Sequence, residues 1–180
     1  MTIRPADPDR DAAACAAIYA PSVESAPISF ELVPPDAAEF AARISRYAAT
    51  HQFLVAEDGG EVVGYAYACP WAERAAYRWS VESSVYVGTR HQGRGIGRAL
   101  YAELFDRLRA QGFRVVVAGI TLPNPASIAL HEGVGFEPIG ALRDIGWKQG
   151  SWHDVGYWQL HLGSPGEGAP AEPTPPGPAD

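Results

Sequence analysis

From residue 2 to residue 162 the chain alternates short apolar runs of strand length with stretches whose apolar residues recur at helical spacing. Residues 2–5 read as a short strand. Asp7-Pro8 opens a helix over about 9–19, rich in alanine and carrying Ile18 and Tyr19. A proline- and serine-rich loop follows, with Phe30 inside it. Asp36 stands where an N-cap is needed, and Phe40, Ile44 and Tyr47 then recur on one helical face. The runs 52–57 and 61–69 flank Asp58-Gly59-Gly60, which predicts a hairpin. An aromatic loop spans 70–79, and residues 80–87 (SVESSVYV) alternate as a strand does. A glycine-rich segment runs into a helix with Leu100, Leu104 and Leu108 on one face and Glu103 four before Arg107. Gly112 closes that helix. Residues 114–120 form a buried strand. Asn124-Pro125 opens a short helix that ends in Gly133 and Gly135. Two last strands lie near 136–142 and 154–162.

The predicted order is β-α-α-β-β-β-α-β-α-β-β, with hairpins first and one crossover later. That makes an α/β fold with a mixed, mostly antiparallel sheet and helices on both faces, not a doubly wound nucleotide fold. At 180 residues the chain has room for one well-buried core. Residues 1–162 are expected to form the single domain. The tail 163–180 holds six prolines, four glycines and no large apolar residue, so it is expected to be disordered. The net charge of −7 argues against nucleic acid or an anionic membrane as the main partner. No apolar run is long enough to span a bilayer, and the N-terminus lacks a secretory pattern. Cys15 and Cys69 sit in apolar surroundings and read as reduced thiols of a cytoplasmic protein. The histidines show no metal-ligand spacing, and no metal is expected.

One segment carries chemistry: Val85-Tyr86-Val87-Gly88-Thr89-Arg90-His91-Gln92-Gly93-Arg94-Gly95-Ile96-Gly97-Arg98. A strand ends, a turn follows, and a helix begins with three glycines in five residues. A helix N-terminus offers unpaired N–H groups and a positive dipole end, and glycine lets a ligand approach the backbone closely. Arg90, Arg94 and Arg98 add charge suited to a pyrophosphate. A Walker sequence is absent, and Gly93, Gly95 and Gly97 give G-x-G-x-G rather than the dinucleotide G-x-G-x-x-G.

Gln92-Gly93-Arg94-Gly95-Ile96-Gly97 resembles the Q/R-x-x-G-x-G/A sequence of the GCN5-related N-acetyltransferases, and the likeness extends over roughly 2–162. More narrowly, Trp79-Ser80-Val81-Glu82-Ser83-Ser84-Val85-Tyr86-Val87, Leu122-Pro123-Asn124, His131-Glu132, Gly135-Phe136 and Trp152-His153-Asp154-Val155-Gly156-Tyr157-Trp158-Gln159 resemble the phosphinothricin and methionine sulfone/sulfoximine acetyltransferases. The resemblance implies acetyl-CoA as co-substrate, a small amino acid or analogue as acceptor, and a homodimer. It assigns the pyrophosphate to Gln92, Gly93, Arg94, Gly95, Ile96, Gly97 and Arg98. It assigns the pantetheine arm to Asn124, with Ser127 beside it, and to the backbone of Val85, Tyr86 and Val87, paired like an added strand.

Acetyl transfer from a thioester to an amine needs a proton acceptor, a donor for the developing oxyanion, a route for the thiolate to leave, and alignment. Glu82 is the candidate base: with Ser84 and Tyr86 it shares one face of its strand, a few residues before the glycine loop. The resemblance implies the same role. Asn124, Ser127 and His131 fall on one face of the short helix. The resemblance links a histidine at this position to catalysis, so His131 is expected in proton transfer or substrate orientation. The loop 70–79 supplies Trp71, Arg74 and Tyr77, and an arginine fork suits an amino-acid carboxylate. The resemblance places Arg74, Tyr77 and Phe30 against the acceptor, with Trp71, Ser84, Tyr86 and Val155 as further contacts. Members of the narrower group carry Lys or Arg after the tryptophan of this loop, whereas this chain has Ala72 and then Glu73. Two other readings remain open at this point: acetylation of a peptide or protein N-terminus, and a non-catalytic acyl-CoA sensor.

Overall fold

In the computed structural model, which describes residues 1–163 and 170–177, seven strands form one sheet in the order β1-β2-β3-β4-β5-β7-β6. The elements in chain order are β1 (Thr2–Pro5), α1 (Pro8–Glu24), α2 (Ala37–Ala48), β2 (Phe53–Asp58), β3 (Glu61–Pro70), β4 (Ser80–Val87), α3 (Ile96–Gln111), β5 (Val115–Leu122), α4 (Pro125–Gly133), β6 (Glu137–Lys148) and β7 (Ser151–His161). Every neighbouring pair is antiparallel except β4 and β5. The mixed sheet with helices on both faces is therefore as predicted.

Strand period explains the two-sided core. In β2, Phe53 and Val55 face α1 and α2, joining Cys15, Tyr19, Val23, Phe40, Ile44 and Tyr65. Leu54 and Ala56 face the opposite way and join Leu100, Tyr101, Leu104, Phe105 and Leu108 of α3. Both faces are covered, so the strand reads as a continuous apolar run rather than an alternating one. Asp7 caps α1 by accepting from the N–H groups of Asp9 and Arg10, and Asp36 caps α2 by accepting from Glu39 N–H.

Three predictions need correction. Helix α1 does not stop near residue 19 but continues through Pro21 to Glu24. Pro21 forgoes one helical hydrogen bond but lies in the last turn, its carbonyl still accepts from Ser25 N–H, and the buried Val23 holds the turn against the sheet. The β6–β7 hairpin is longer than predicted, because residues 143–153 are strand and a tight turn rather than a loop. Gln149 and Gly150 take φ of 52° and 76°, and Lys148 pairs with Ser151 across the turn. The third correction concerns the tail. Residues 164–169 and 178–180 lie outside the described residues, but 170–177 docks on the domain. Thr174 and Gln111 exchange two hydrogen bonds of 2.8 Å, Trp79 Nε1 donates to Ala171 C=O, and Arg78 pairs with Glu172. Among the described residues no helix is long and apolar enough to cross a membrane, and Cys15 and Cys69 are unpaired.

Candidate active site

The site begins where the parallel pair separates. Strands β4 and β5 pair only from Ser80–Val115 to Glu82–Val117, yet β4 runs on to Val87 and β5 to Leu122. Beyond Glu82 they diverge and leave one edge of β4 open. The fork is lined by Ser83, Ser84, Val85 and Tyr86 on one side and Gly119, Ile120 and Thr121 on the other, with Asn124, Ser127 and His131 of α4 closing its end. This inner cleft is continuous with a larger groove of about 520 Å³ that shares Val85, Tyr86, Asn124 and Ser127 and extends to Gly93, Gly95, Gly97 and Arg98.

Glu82 stands at the base of the fork, the last residue of β4 paired with β5. Its carboxylate makes no hydrogen bond or ion pair among the described residues, and burial raises its pKa above the ordinary carboxyl value. Gly119 of β5 flanks it: a β-carbon there would stand at ordinary contact distance, 3.8 Å from Glu82 Oε1 and 3.4 Å from the Tyr157 ring. Trp71 meets Tyr157 edge to face at 5.8 Å, and Val155 lies across from Thr121, so these side chains wall the region beside Glu82.

The glycine loop is shaped as an anion cradle. Gly95 is the N-cap of α3 at φ 79°, a left-handed conformation that favours glycine, and no side chain caps the helix. The first-turn N–H groups of Ile96, Gly97 and Arg98 therefore remain for a ligand, and the carbonyl of Gly95 is already used by Ala99 N–H. At Gly97 a β-carbon would come within 3.0 Å of the Leu130 side chain, so glycine here lets α3 and α4 meet without displacing Leu130. Gln92 Nε2 donates to Val87 C=O at 3.3 Å and ties the loop to β4. The arginines divide. Arg94 pairs with Asp58 and Arg98 donates to Gly133 C=O, so both also brace the scaffold, while Arg90 makes no such contact among the described residues.

Asn124 is the N-cap of α4, its Oδ1 accepting from Ser127 N–H at 3.1 Å, which leaves its amide nitrogen for the groove. His131 is 5% exposed. Its Nδ1 donates to Ser127 C=O at 2.7 Å, and its Nε2 lies 2.8 Å from the Tyr101 hydroxyl. Burial holds its pKa below the ordinary value, so the ring is neutral near pH 7. Tyr101 escaped the sequence reading, because on α3 it looked like one more apolar residue beside Leu100. A buried tyrosine needs a partner for its hydroxyl, and that requirement was the available signal.

The expected acceptor residues do not all gather. Ser84 and Tyr86 line the cleft, but the Tyr86 ring packs edge-on to Tyr19 at 4.9 Å, so that side chain belongs largely to the core under α1. Phe30 lies over Gly146 and His153, at the β6–β7 hairpin. Arg74 and Tyr77 stand apart from the fork. They line a second groove of about 570 Å³ with Ala72, Phe113, Glu172 and Pro173, under the docked tail. The carboxylate fork expected of Arg74 is thus not assembled in this chain's own cleft.

The loop between α1 and α2 roofs the cleft through Ile28, whose carbonyl accepts from Thr121 Oγ1. It is held by a buried lysine: Lys148 Nζ donates to Ser29 C=O at 2.6 Å and Glu31 C=O at 2.9 Å. Arg43 grips the Glu31 carboxylate through both nitrogens, and Tyr19 Oη donates to it as well. Lys148→Met should remove both donors and cost about 1–3 kcal/mol, the usual penalty for stranded buried acceptors. Urea unfolding should show that loss, and hydrogen exchange should show residues 26–35 opening faster than the rest of the chain. Unchanged exchange there would contradict the role of Lys148 as the loop's anchor.

A profile of the acetyltransferase (GNAT) family matches residues 19–136. Over 173 residues the chain is 44% identical to phosphinothricin N-acetyltransferase of Streptomyces viridochromogenes, a match covering 96% of this chain and 94% of that one. Over 109 residues it is 44% identical to the L-methionine sulfoximine/L-methionine sulfone acetyltransferase of Salmonella typhimurium, covering 61% and 64% of the two chains. A GNAT superfamily phosphinothricin acetyltransferase of Sinorhizobium meliloti, solved in complex with acetyl-CoA, has the same fold at a TM-score of 0.90 and 39% identity, over 96% of this chain and 94% of that one. With its forked sheet and glycine-built helix N-terminus, this chain belongs to the GNAT acetyltransferase family.

Proposed function

We propose that this enzyme transfers an acetyl group from acetyl-CoA to the amino group of a small amino acid or analogue of the phosphinothricin, methionine sulfoximine or methionine sulfone type. The observation that carries the reading is the continuity of the fork at Glu82 with the groove at the N-terminus of α3. The groove fits the co-substrate: free first-turn N–H groups and positive φ at Gly93 and Gly95 suit a pyrophosphate, and the open edge of β4 suits an amide-bearing arm. Acetyl-CoA, when bound, supplies the activated acetyl group. Glu82 takes a proton from the acceptor ammonium, directly or through water, and its raised pKa makes it a better base than an exposed carboxylate. A backbone N–H of β4 polarises the thioester carbonyl. Trp71 and Val155 shape the acceptor side.

A homodimer is part of the same reading. The edge strand β6 and the hairpin it forms with β7 expose Ile139, Leu142, Ile145, Trp147 and Trp152, an apolar row that a monomer would leave in water. Two free thiols support a reducing compartment, the cytoplasm.

The test is a panel of acceptors with acetyl-CoA: phosphinothricin, methionine sulfoximine, methionine sulfone, common amino acids and short peptides. Because Ala72 stands where the group carries a cation, the sulfone and sulfoximine should rival phosphinothricin in kcat/KM. Acetylation of peptides with none of the three amino-acid analogues would overturn the reading.

A further inference from the structure

We propose that the docked segment 170–177 is a working part of the acceptor site: it straps the loop 70–79 in place and so sets the affinity for the acceptor. The inference rests on the acetyl-transfer reading above.

The dock is built at the C-terminal end of α3. Of residues 173–176, Pro-Thr-Pro-Pro, only Thr174 has a backbone N–H. It donates that hydrogen to the carbonyl of Gln111 at 2.8 Å. Gln111 is the last residue of α3, so its carbonyl has no partner within the helix. The Thr174 carbonyl in turn accepts from Gln111 Nε2, which also donates to Thr50 C=O, while Gln111 Oε1 accepts from Gln52 Nε2. Gln111 is buried. Without the tail its amide would keep one N–H in need of a partner, a cost that favours docking. Pro173 packs on Gly112, its Cα 3.7 Å from where a β-carbon there would stand. The three prolines restrict the free tail, so less entropy is lost when it docks.

The other half of the segment grips the loop. Glu172 pairs with Arg78, and Ala171 C=O accepts from Trp79 Nε1 at 2.8 Å. Pro173, Thr174 and Pro175 line the same groove as Arg74 and Tyr77. Among the described residues, every other hydrogen bond of residues 72–78 stays within the loop. Trp79 carries the hold to the site. Its carbonyl accepts from the N–H groups of Arg114 and Val115 at 2.8 and 3.3 Å, where the parallel pairing of β4 with β5 begins. The next residue, Ser80, accepts from Trp71 N–H at 3.3 Å, and the Trp71 ring stands against Tyr157 beside Glu82. The tail therefore holds both ends of the wall that an acceptor meets. When the strap is loose, the loop samples other arrangements, and acceptor affinity falls with the fraction of time spent in this one. The anion cradle lies at the far end of α3, about 24 Å away for its 16 residues, so acetyl-CoA binding is independent of the strap.

The test uses the full chain with Glu172→Lys, Thr174→Pro and the two combined. The first turns the pair with Arg78 into a repulsion, and the second removes the N–H that Gln111 accepts. Both residues are exposed, so the core is left intact. In the double variant, hydrogen exchange should speed up in residues 70–79 and remain as before in β2, β3 and the first turns of α3. The KM for methionine sulfone should rise on the order of tenfold, the result of a loop that holds its bound arrangement a tenth of the time. Acetyl-CoA affinity and kcat at saturating acceptor should stay near wild type, and each single variant should show a smaller rise in KM. Unchanged exchange in the loop would overturn the proposal, as would faster exchange with an unchanged or lowered acceptor KM. Loss of kcat and of acetyl-CoA affinity together with acceptor affinity would overturn it too, since that marks a general structural role. A wild-type protein that acetylates none of the acceptor panel refutes the activity reading instead, and loop exchange then decides by itself whether the tail is a strap.

Discussion

Glu82→Gln should lower kcat on the order of 10²–10⁴-fold at neutral pH, the usual yield of general base catalysis. The substitution keeps the size and hydrogen-bonding capacity of the side chain and removes only its basicity. Acetyl-CoA affinity should hold, because the groove residues at α3 lie away from the base of the fork. An α-amine has a pKa of about 7.7–8.0, so most acceptor is protonated at pH 7. The deficit should therefore shrink as pH rises and free amine accumulates. In the wild type, the acidic limb of kcat/KM should lie above the ordinary glutamate value of about 4.3, because burial raises the pKa of Glu82. The same burial gives a stability signature of the opposite sign. Between the ordinary and the raised pKa the folded chain holds more protons than the unfolded one, so folding stability falls as pH rises through that window and stays lower above it. Glu82→Gln should thus melt higher than the wild type at neutral pH while turning over far more slowly. A variant that loses activity together with stability would point to a structural role.

Gly95→Leu should weaken acetyl-CoA binding roughly 10- to 150-fold, the equivalent of losing one charge-assisted hydrogen bond worth about 1.5–3 kcal/mol. Gly95 holds φ at 79° and has open space where a side chain would stand, so the packing of the core is not disturbed. Leucine disfavours that backbone conformation and places its side chain at the mouth of the anion cradle. The first-turn N–H groups of α3 would lose their aim at the pyrophosphate. Calorimetry should show the loss of affinity, with kcat at saturating acetyl-CoA close to wild type. Unchanged affinity would remove the glycine loop from the co-substrate site.

What was legible in the sequence was what depends on neighbours along the chain. The alternation of residues 80–87 put Glu82, Ser84 and Tyr86 on one face, and β4 spans those residues. Asn124-Pro125 announced the start of α4, and the glycine-rich segment that of α3, though not that Gly95 is its N-cap. The contributions of tertiary structure were hidden. Tyr101 meets His131 from a different helix, across thirty residues of chain. Arg74 and Tyr77 looked like acceptor contacts because they share a loop with Trp71, but periodicity does not say which way an irregular loop turns. The single 3₁₀ turn at Ala75–Tyr77 carries them to the tail instead. The tail's composition offered no core of its own. Its docking at 170–177 depends on backbone and side-chain partners at Gln111, Trp79 and Arg78 that composition does not show.

The most direct measurement is product identification by mass spectrometry when the wild-type enzyme meets acetyl-CoA and methionine sulfone, with Glu82→Gln run in parallel. The wild type should yield the N-acetyl amino acid and one CoA thiol per acetyl group transferred, and the variant should yield both far more slowly in the same ratio. Thiol release without N-acetyl product, or equal rates in the two proteins, would contradict acetyl transfer at the fork of β4 and β5.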